Sequence, residues 1–298
     1  NLLYAALDRV REMGEYIFIL LPFNYEFYRK YGWEICYEHI QYNAELDKFS
    51  LDIYENLLTD IREVKVEDIR LLNRCYKKFM SNYNGYIIRT DEDWKRMLKD
   101  ISIDGGKAYI LQCEDDLGYI LFTYRNNKVH VLELIYTDKN IKNALLHFAS
   151  KSTGNPEIVW TAPPDDMTYM DMVDARNTMY RQPFVMGSIV DVQRALSSIH
   201  LKSPQKMEFV MRVHDKFYEF NDRAYLIYYN GDTVNTTTNG YKESHIELDI
   251  NTLTQLFWGY LKVDDGARDG RILYKNPRHL DMLKEIFKES IPMIYEDY

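Results

Sequence analysis

The sequence predicts a chain of α/β and α+β class in three parts, and three observations carry that reading. The opening pairs a helix with a short apolar run that ends at a proline. The middle reads as two helices, three strands joined by two-residue turns, then a helix and a strand. The remainder alternates strands and helices with no regular βαβ period.

In the first part, Leu2, Leu3, Ala6, Leu7, Val10 and Met13 recur at helical spacing, and Gly14 follows as a C-cap. "YIFILL" (Tyr16–Leu21) reads as a buried strand stopped by Pro22. A short helical turn carries Phe27, Tyr28 and Tyr31 and ends at Gly32; "WEICYEHIQYNAEL" then shows strand-like alternation. This unit is too small to bury its own core. The chain opens on Asn1 without an initiator Met, so material is expected to precede it.

A charged stretch near Thr59 marks the second part. "VEDIRLLNRCYKKFM" and "TDEDWKRMLKDI" read as helices, the latter with Thr90 as N-cap and Asp93 at capping-box spacing. "KAYILQCED", "LGYILFTYRN" and "KVHVLELIYT" form a meander; "IKNALLHFASKS" and "EIVWTAP" complete the part before Pro163-Pro164. In the third part, "DVQRALSSI", "NTLTQLFWGYL" and "RHLDMLKEIFKES" read as helices and "MEFVMRVHD", "RAYLIYYNG" and "HIELDI" as strands, with Leu280, Leu283 and Phe287 on one face of the last helix. "DDGARDG" (Asp264–Gly270) lacks the alternating acids of a calcium loop and reads as a solvated turn.

Composition narrows the function. The 298 residues are 46% hydrophobic and 28% charged, ordinary for a soluble domain, and no apolar run approaches the ~20 residues of a bilayer span. The net charge of −9 disfavours nucleic-acid backbone binding. Three scattered cysteines and seven dispersed histidines, with no CxxC, HExxH or HxxxH, give no expected metal and suit a reducing, cytoplasmic setting. The opening residues lack a secretory pattern. No GxGxxG, P-loop or GxSxG occurs.

The informative stretch is "PFNYEFYRKYGW" (Pro22–Trp33). A helix, a buried strand and then P-x-x-x-x-F-Y-x-x-x-G-W resembles the closing third of a GNAT-fold N-acetyltransferase. The middle part resembles a second GNAT unit, with "LGYILFTY" and "VHVLELIYT" as central strands, and the remainder a sterol-carrier-protein-like domain. This order resembles the Eis (enhanced intracellular survival) acetyltransferase family across essentially the whole chain. The division it implies is 1–58 as the C-terminal part of a catalytic GNAT domain, 59–165 as a degenerate GNAT domain and 166–298 as the sterol-carrier-protein-like domain.

The resemblance implies acetyl transfer from acetyl-CoA to a primary amine, with aminoglycoside, polyamine-like or lysine amines as the class, and a homo-oligomer. It makes Tyr28 the general acid beside the coenzyme sulfur, Asn24 and Tyr28 cofactor-binding, and the terminal carboxylate of Tyr298 the base. Glu296 and Asp297 would attract the cationic amine. One departure stands out: GNAT enzymes grip pyrophosphate with R/Q-x-x-G-x-G/A at a helix N-terminus, where free amides and the helix dipole meet. The second unit has "DKNIKNALLHF" there, with no glycine and an acid first, so it reads as a scaffold. In the first unit the motif would fall before Leu2. Two alternatives follow: an apolar-ligand carrier, or a fragment silent for want of that loop.

Overall fold

Local sequence dictates each end of the first helix. Its apolar positions bury Leu7, and its last turn runs out at Gly14, whose φ of +91° a side chain would strain. The computed structural model describes residues 2–45, 55–154, 157–176, 178–201, 206–231, 233–238, 240 and 243–296. Backbone contacts group them into two units. One holds the described residues up to Tyr37 with Phe184–Pro292; the other holds Glu38–Pro183 and Met293–Glu296.

In the first unit, helix Leu2–Glu12 leads to strand Ile17–Leu20. That strand pairs antiparallel with Met186–Ile189, which pairs on its other side with Glu34–Ile35. The expected buried strand is therefore an edge strand. All four of its residues are half-buried, because it is hydrogen-bonded along one side only in this sheet. Gly187, in the central strand, is required by close approach: a Cβ there would sit 3.0 Å from the Trp258 ring and 3.1 Å from Cys36 Sγ.

The same unit contains a five-stranded sheet. Met207–His214 runs antiparallel to Ala224–Tyr229 and parallel to Ile246–Asp249, with Val234–Thr237 and Leu273–Tyr274 at the edges. Helix Ile250–Trp258 starts on the side chain of Asp249, which accepts from Thr252 N at 2.7 Å. Its Gln255 donates to Ile35 O and its Trp258 to Tyr37 Oη, each at 2.7 Å. The segment read as a solvated turn is instead helical over Val263–Arg268, with buried Val263 and Gly266 against Ile272. Two acids in its first turn favour the helix dipole, which the turn reading overlooked.

The second unit is built on a seven-stranded sheet. The meander Lys107–Cys113, Asp116–Arg125 and Lys128–Tyr136 supplies three adjacent strands. Asn126 and Asn127 both take positive φ in the second turn, the conformation a two-residue hairpin needs. Lys128–Tyr136 then pairs in parallel with Glu157–Ala162, but only from Val129↔Ile158 to Val131↔Trp160. Helix Lys139–Thr153 makes the crossover between them. Glu38–Glu45 inserts between Glu157–Ala162 and Met179–Pro183, antiparallel to both. Helices Ile69–Met80 and Asp91–Ile103 bury Leu72, Tyr76 and Trp94, the second starting at the expected Thr90–Asp93 capping box.

Candidate active site

Tyr28 lies on a five-residue helix, Tyr25–Arg29. Asn24 starts it: its Oδ1 accepts from Phe27 N at 2.9 Å. The amide oxygen of a residue expected to touch the cofactor is thus occupied by the backbone, leaving its amide nitrogen. The helix ends because Tyr28 O accepts from both Tyr31 N and Trp33 N, a closure that Gly32 permits with a φ of +89°.

The Tyr28 ring is half-buried among aromatic neighbours. Its centroid lies 5.3 Å from Phe23, 5.2 Å from Phe27 and 6.3 Å from Trp33, all edge-on. Tyr31 packs on Phe27 at 5.1 Å and on Phe217 at 4.8 Å. Arg29 Nε meets Glu34 at 2.9 Å, tying the helix to the following strand. On the helix's flank is a cleft of about 450 Å³ walled by Glu26, Arg29, Lys30, His214, Lys216 and Asp249. Burial raises the carboxyl of the adjacent Asp215, while the amides of Tyr218 and Phe217 oppose that rise.

In the second unit, the junction between strand Lys128–Tyr136 and helix Lys139–Thr153 is where a GNAT pyrophosphate loop would lie. Asp138 occupies it as N-cap, its Oδ1 accepting from Asn140 N at 2.7 Å. A carboxylate already uses an amide that a phosphate would need. Past the end of the parallel pairing, Asp166 accepts from Tyr42 Oη at 2.8 Å, Thr168 N at 2.9 Å and Tyr136 Oη at 3.4 Å. Beside it, Lys142 donates to Thr168 Oγ1, and burial lowers the pKa of this lysine.

The chain's last described segment is held within this second unit. Met293 N donates to Asn84 O at 3.0 Å, His39 Nε2 to Ile294 O at 2.6 Å, and Tyr295 Oη to Leu134 O at 3.3 Å. Glu296 Oε1 accepts from Arg89 Nε at 2.8 Å. Arg89, 5% exposed, also grips Glu133 with both terminal nitrogens, at 2.7 and 2.6 Å, and lies over the rings of Tyr76 and Trp94. Burial opposes its charge, but Glu133 outweighs that and raises its pKa.

Tyr28 and Asn24 are thus adjacent in the first unit, and Glu296 belongs to the second. Asp297 and Tyr298 lie outside the described residues. The sequence reading missed Arg89 and Glu133. Their signals are slight: an arginine just ahead of the Thr90 cap, and a glutamate inside the apolar strand "KVHVLELIYT".

Family comparison matches residues 1–36 and 85–190 to Acetyltransferase (GNAT) domains and residues 192–295 to a Sterol carrier protein domain. A probable N-acyltransferase from Enterococcus faecalis V583 shares the fold with a TM-score of 0.84 at 20% identity, over 100% of this chain and 76% of that one. A GCN5-related N-acetyltransferase from Anabaena variabilis ATCC 29413 gives 0.81 at 16% identity, over 99% and 76%. Eis1 from Mycobacterium abscessus gives 0.72 at 16% identity, over 99% and 77%. No curated protein matches the chain.

Fold and domain content therefore define a chain of GNAT acetyltransferase domains with a C-terminal sterol-carrier-protein domain. That combination matches an Eis-like GNAT with a sterol-carrier-protein-like domain, and the chain shares its fold with Eis1. GNAT domains support N-acetyltransferase activity in general.

Proposed function

We propose that the protein transfers acetyl from acetyl-CoA to a primary amine, of aminoglycoside, polyamine-like or lysine type. The observation that supports this best is Tyr28 on a capped, aromatic-packed helix directly after the edge strand, within the residues matched to a GNAT domain. The amine nitrogen attacks the thioester carbonyl, the C–S bond breaks, and the departing thiolate needs a proton or its equivalent. Tyr28 Oη supplies a hydrogen bond or proton there. A thiol near ~8.5 is a stronger acid than a phenol near ~10, so stabilising the thiolate weighs as much as full transfer.

The amine's proton goes to the α-carboxylate of Tyr298, where Tyr298 ends the chain. A carboxylate near ~3.5 is a weak base toward an ammonium near ~10.4, so the amine must arrive neutral or lose its proton through water. Asn24 offers its side-chain nitrogen to the coenzyme beside Tyr28. Asp297 and Glu296 contribute the negative charge that draws the cationic amine, Glu296 while its Oε1 is held by Arg89. The second GNAT unit is a scaffold that takes no coenzyme, because Asp138 caps its helix. On this reading the domains divide at 1–58, 59–165 and 166–298, and the protein works as a cytoplasmic homo-oligomer.

The sterol-carrier match also invites an apolar ligand. The cleft bordering that domain has His214, Asp215, Lys216 and Asp249 in its walls, groups unsuited to a sterol. An assay with acetyl-CoA and an amine panel, beside Tyr28→Phe and an extension after Tyr298, tests the reading. Full activity in both variants overturns it.

A further inference from the structure

The second unit has a cavity of its own, of about 410 Å³, and every wall residue falls within Glu38–Pro183. It opens where two parallel strands part. Pairing between Lys128–Tyr136 and Glu157–Ala162 stops at Val131↔Trp160, and the chain runs on from each strand into the cavity wall, to Tyr136 on one side and to Pro163 and Asp165 on the other. The crossover helix Lys139–Thr153 starts at the same end. In open α/β sheets, small ligands are held outside the carboxyl ends of the strands, beside the helices that follow them.

The walls carry opposite charge. The helix contributes Lys139 and Lys142, and the loop after Ala162 contributes Asp165, Asp166 and Asp171. Three of these are committed within the protein. Lys139 meets Asp171 at 2.7 Å, and Asp166 accepts from Tyr42 Oη, Thr168 N and Tyr136 Oη. The other two have capacity left. Lys142 is 5% exposed, with its Nζ 5.6 Å from the ring centre of Tyr136, yet among the described residues it makes one hydrogen bond, to the neutral hydroxyl of Thr168, itself 2% exposed. Asp166 and Asp171 favour its charge without bonding it, and burial outweighs them. A buried ammonium in that position is short of an anionic partner. Asp165 accepts one bond, from Tyr83 Oη at 3.1 Å, which leaves its other oxygen open.

We propose that this cavity binds a free amino acid, with its carboxylate on Lys142 and Thr168 and its ammonium on Asp165. A simple amine would leave Lys142 without an anion and bring a second cation beside it. A simple carboxylate would satisfy Lys142 but face Asp165 unpaired. A ligand with both charges answers both walls. The volume lies at the small end of ligand pockets, roughly 300–1,000 Å³, and suits an amino acid better than a coenzyme. Met167 and Met170, both exposed at the rim, offer adaptable apolar surface to the ligand's side chain. The site is independent of the Tyr28 chemistry: all its residues belong to the second unit, and the amino acid there is bound, not acetylated.

The test is calorimetry on the full chain, without acetyl-CoA, using the standard amino acids as probes. For the tightest of them, its decarboxylated amine and its deaminated acid are titrated beside it. The expected result is saturable binding of at least one amino acid, with both analogues weaker by about tenfold or more. Asp165→Asn keeps an oxygen for Tyr83 Oη, so its melting temperature should match wild type while its affinity falls by about tenfold or more. Lys142→Met should lose binding to a similar degree, and Tyr28→Phe should leave it unchanged. No saturable binding from any amino acid overturns the proposal. So does an amine or acid that binds as tightly as its parent, or unchanged affinity in Asp165→Asn. A loss of binding in Tyr28→Phe would place the ligand in the first unit and overturn it as well.

Discussion

Glu133 and Arg89 meet in a two-pronged ion pair, at 2.7 and 2.6 Å, with both side chains 4% exposed. The strand Lys128–Tyr136 carries the acid, and the loop before helix Asp91–Ile103 carries the base. A buried charge left without its partner is costly, so Arg89→Met should destabilise the second unit by about 3–5 kcal/mol. Adding Glu133→Leu removes the orphaned carboxylate and should recover much of the loss. Urea unfolding of the two variants measures both; an unchanged midpoint in Arg89→Met would refute the pairing.

Tyr28→Phe keeps the ring and its contacts with Phe23, Phe27 and Trp33 and deletes only the hydroxyl. The melting temperature should stay near wild type, while kcat falls by about 10²-fold or more and KM for acetyl-CoA changes little.

Asp138→Ala should cost about 1 kcal/mol of stability by freeing the start of helix Lys139–Thr153. It should create no coenzyme A binding in the second unit, because the amides it frees face no glycine loop. Calorimetry on this variant against wild type reads the stoichiometry of coenzyme A, which should be the same for both.

His279 stacks against His245 with ring centroids 4.4 Å apart. Burial lowers its pKa, and His245, Arg278 and Lys275 add to the shift. The folded state therefore binds the proton less readily than the unfolded chain does. Stability is fully present above the unfolded value near 6.5 and declines as pH falls through it. His279→Gln should flatten the dependence of the melting temperature between pH 7.5 and 5.5; an unaltered slope would contradict the assignment.

Much of this fold is legible wherever one signal is local and strong. The meander shows because its strands are bounded by two-residue turns, and Asn126-Asn127 needs no tertiary help to turn. Thr90 and Asp93 announce their helix by spacing alone. Strand Ile17–Leu20 was harder: its apolar content says strand, but how far it is buried depends on Met186–Ile189, more than 160 residues on. Neither Met186–Ile189 nor Met179–Pro183 shows a pattern, because a "MGSI" strand carries its glycine for the sake of Trp258 and Cys36.

The candidate site divides in the same way. Tyr28 is legible through the motif around it, and Asn24 through its capping position. The Arg89–Glu133–Glu296 cluster is not, because its members lie 44 and 163 residues apart in the chain and each alone looks like a surface charge. Helix Val263–Arg268 was read as a turn because two glycines and three aspartates outweigh one buried valine by propensity; packing of Val263 and Gly266 decides otherwise.

The central claim is acetyl transfer assisted by the Tyr28 hydroxyl. Its most direct test is single-turnover formation of acetylated amine from acetyl-CoA, followed by mass spectrometry, for wild type and Tyr28→Phe at equal folded concentration. The account predicts acetylated product with wild type and a rate lower by about 10²-fold or more with the variant. Equal rates, or no product from any amine while coenzyme A is bound, would contradict it.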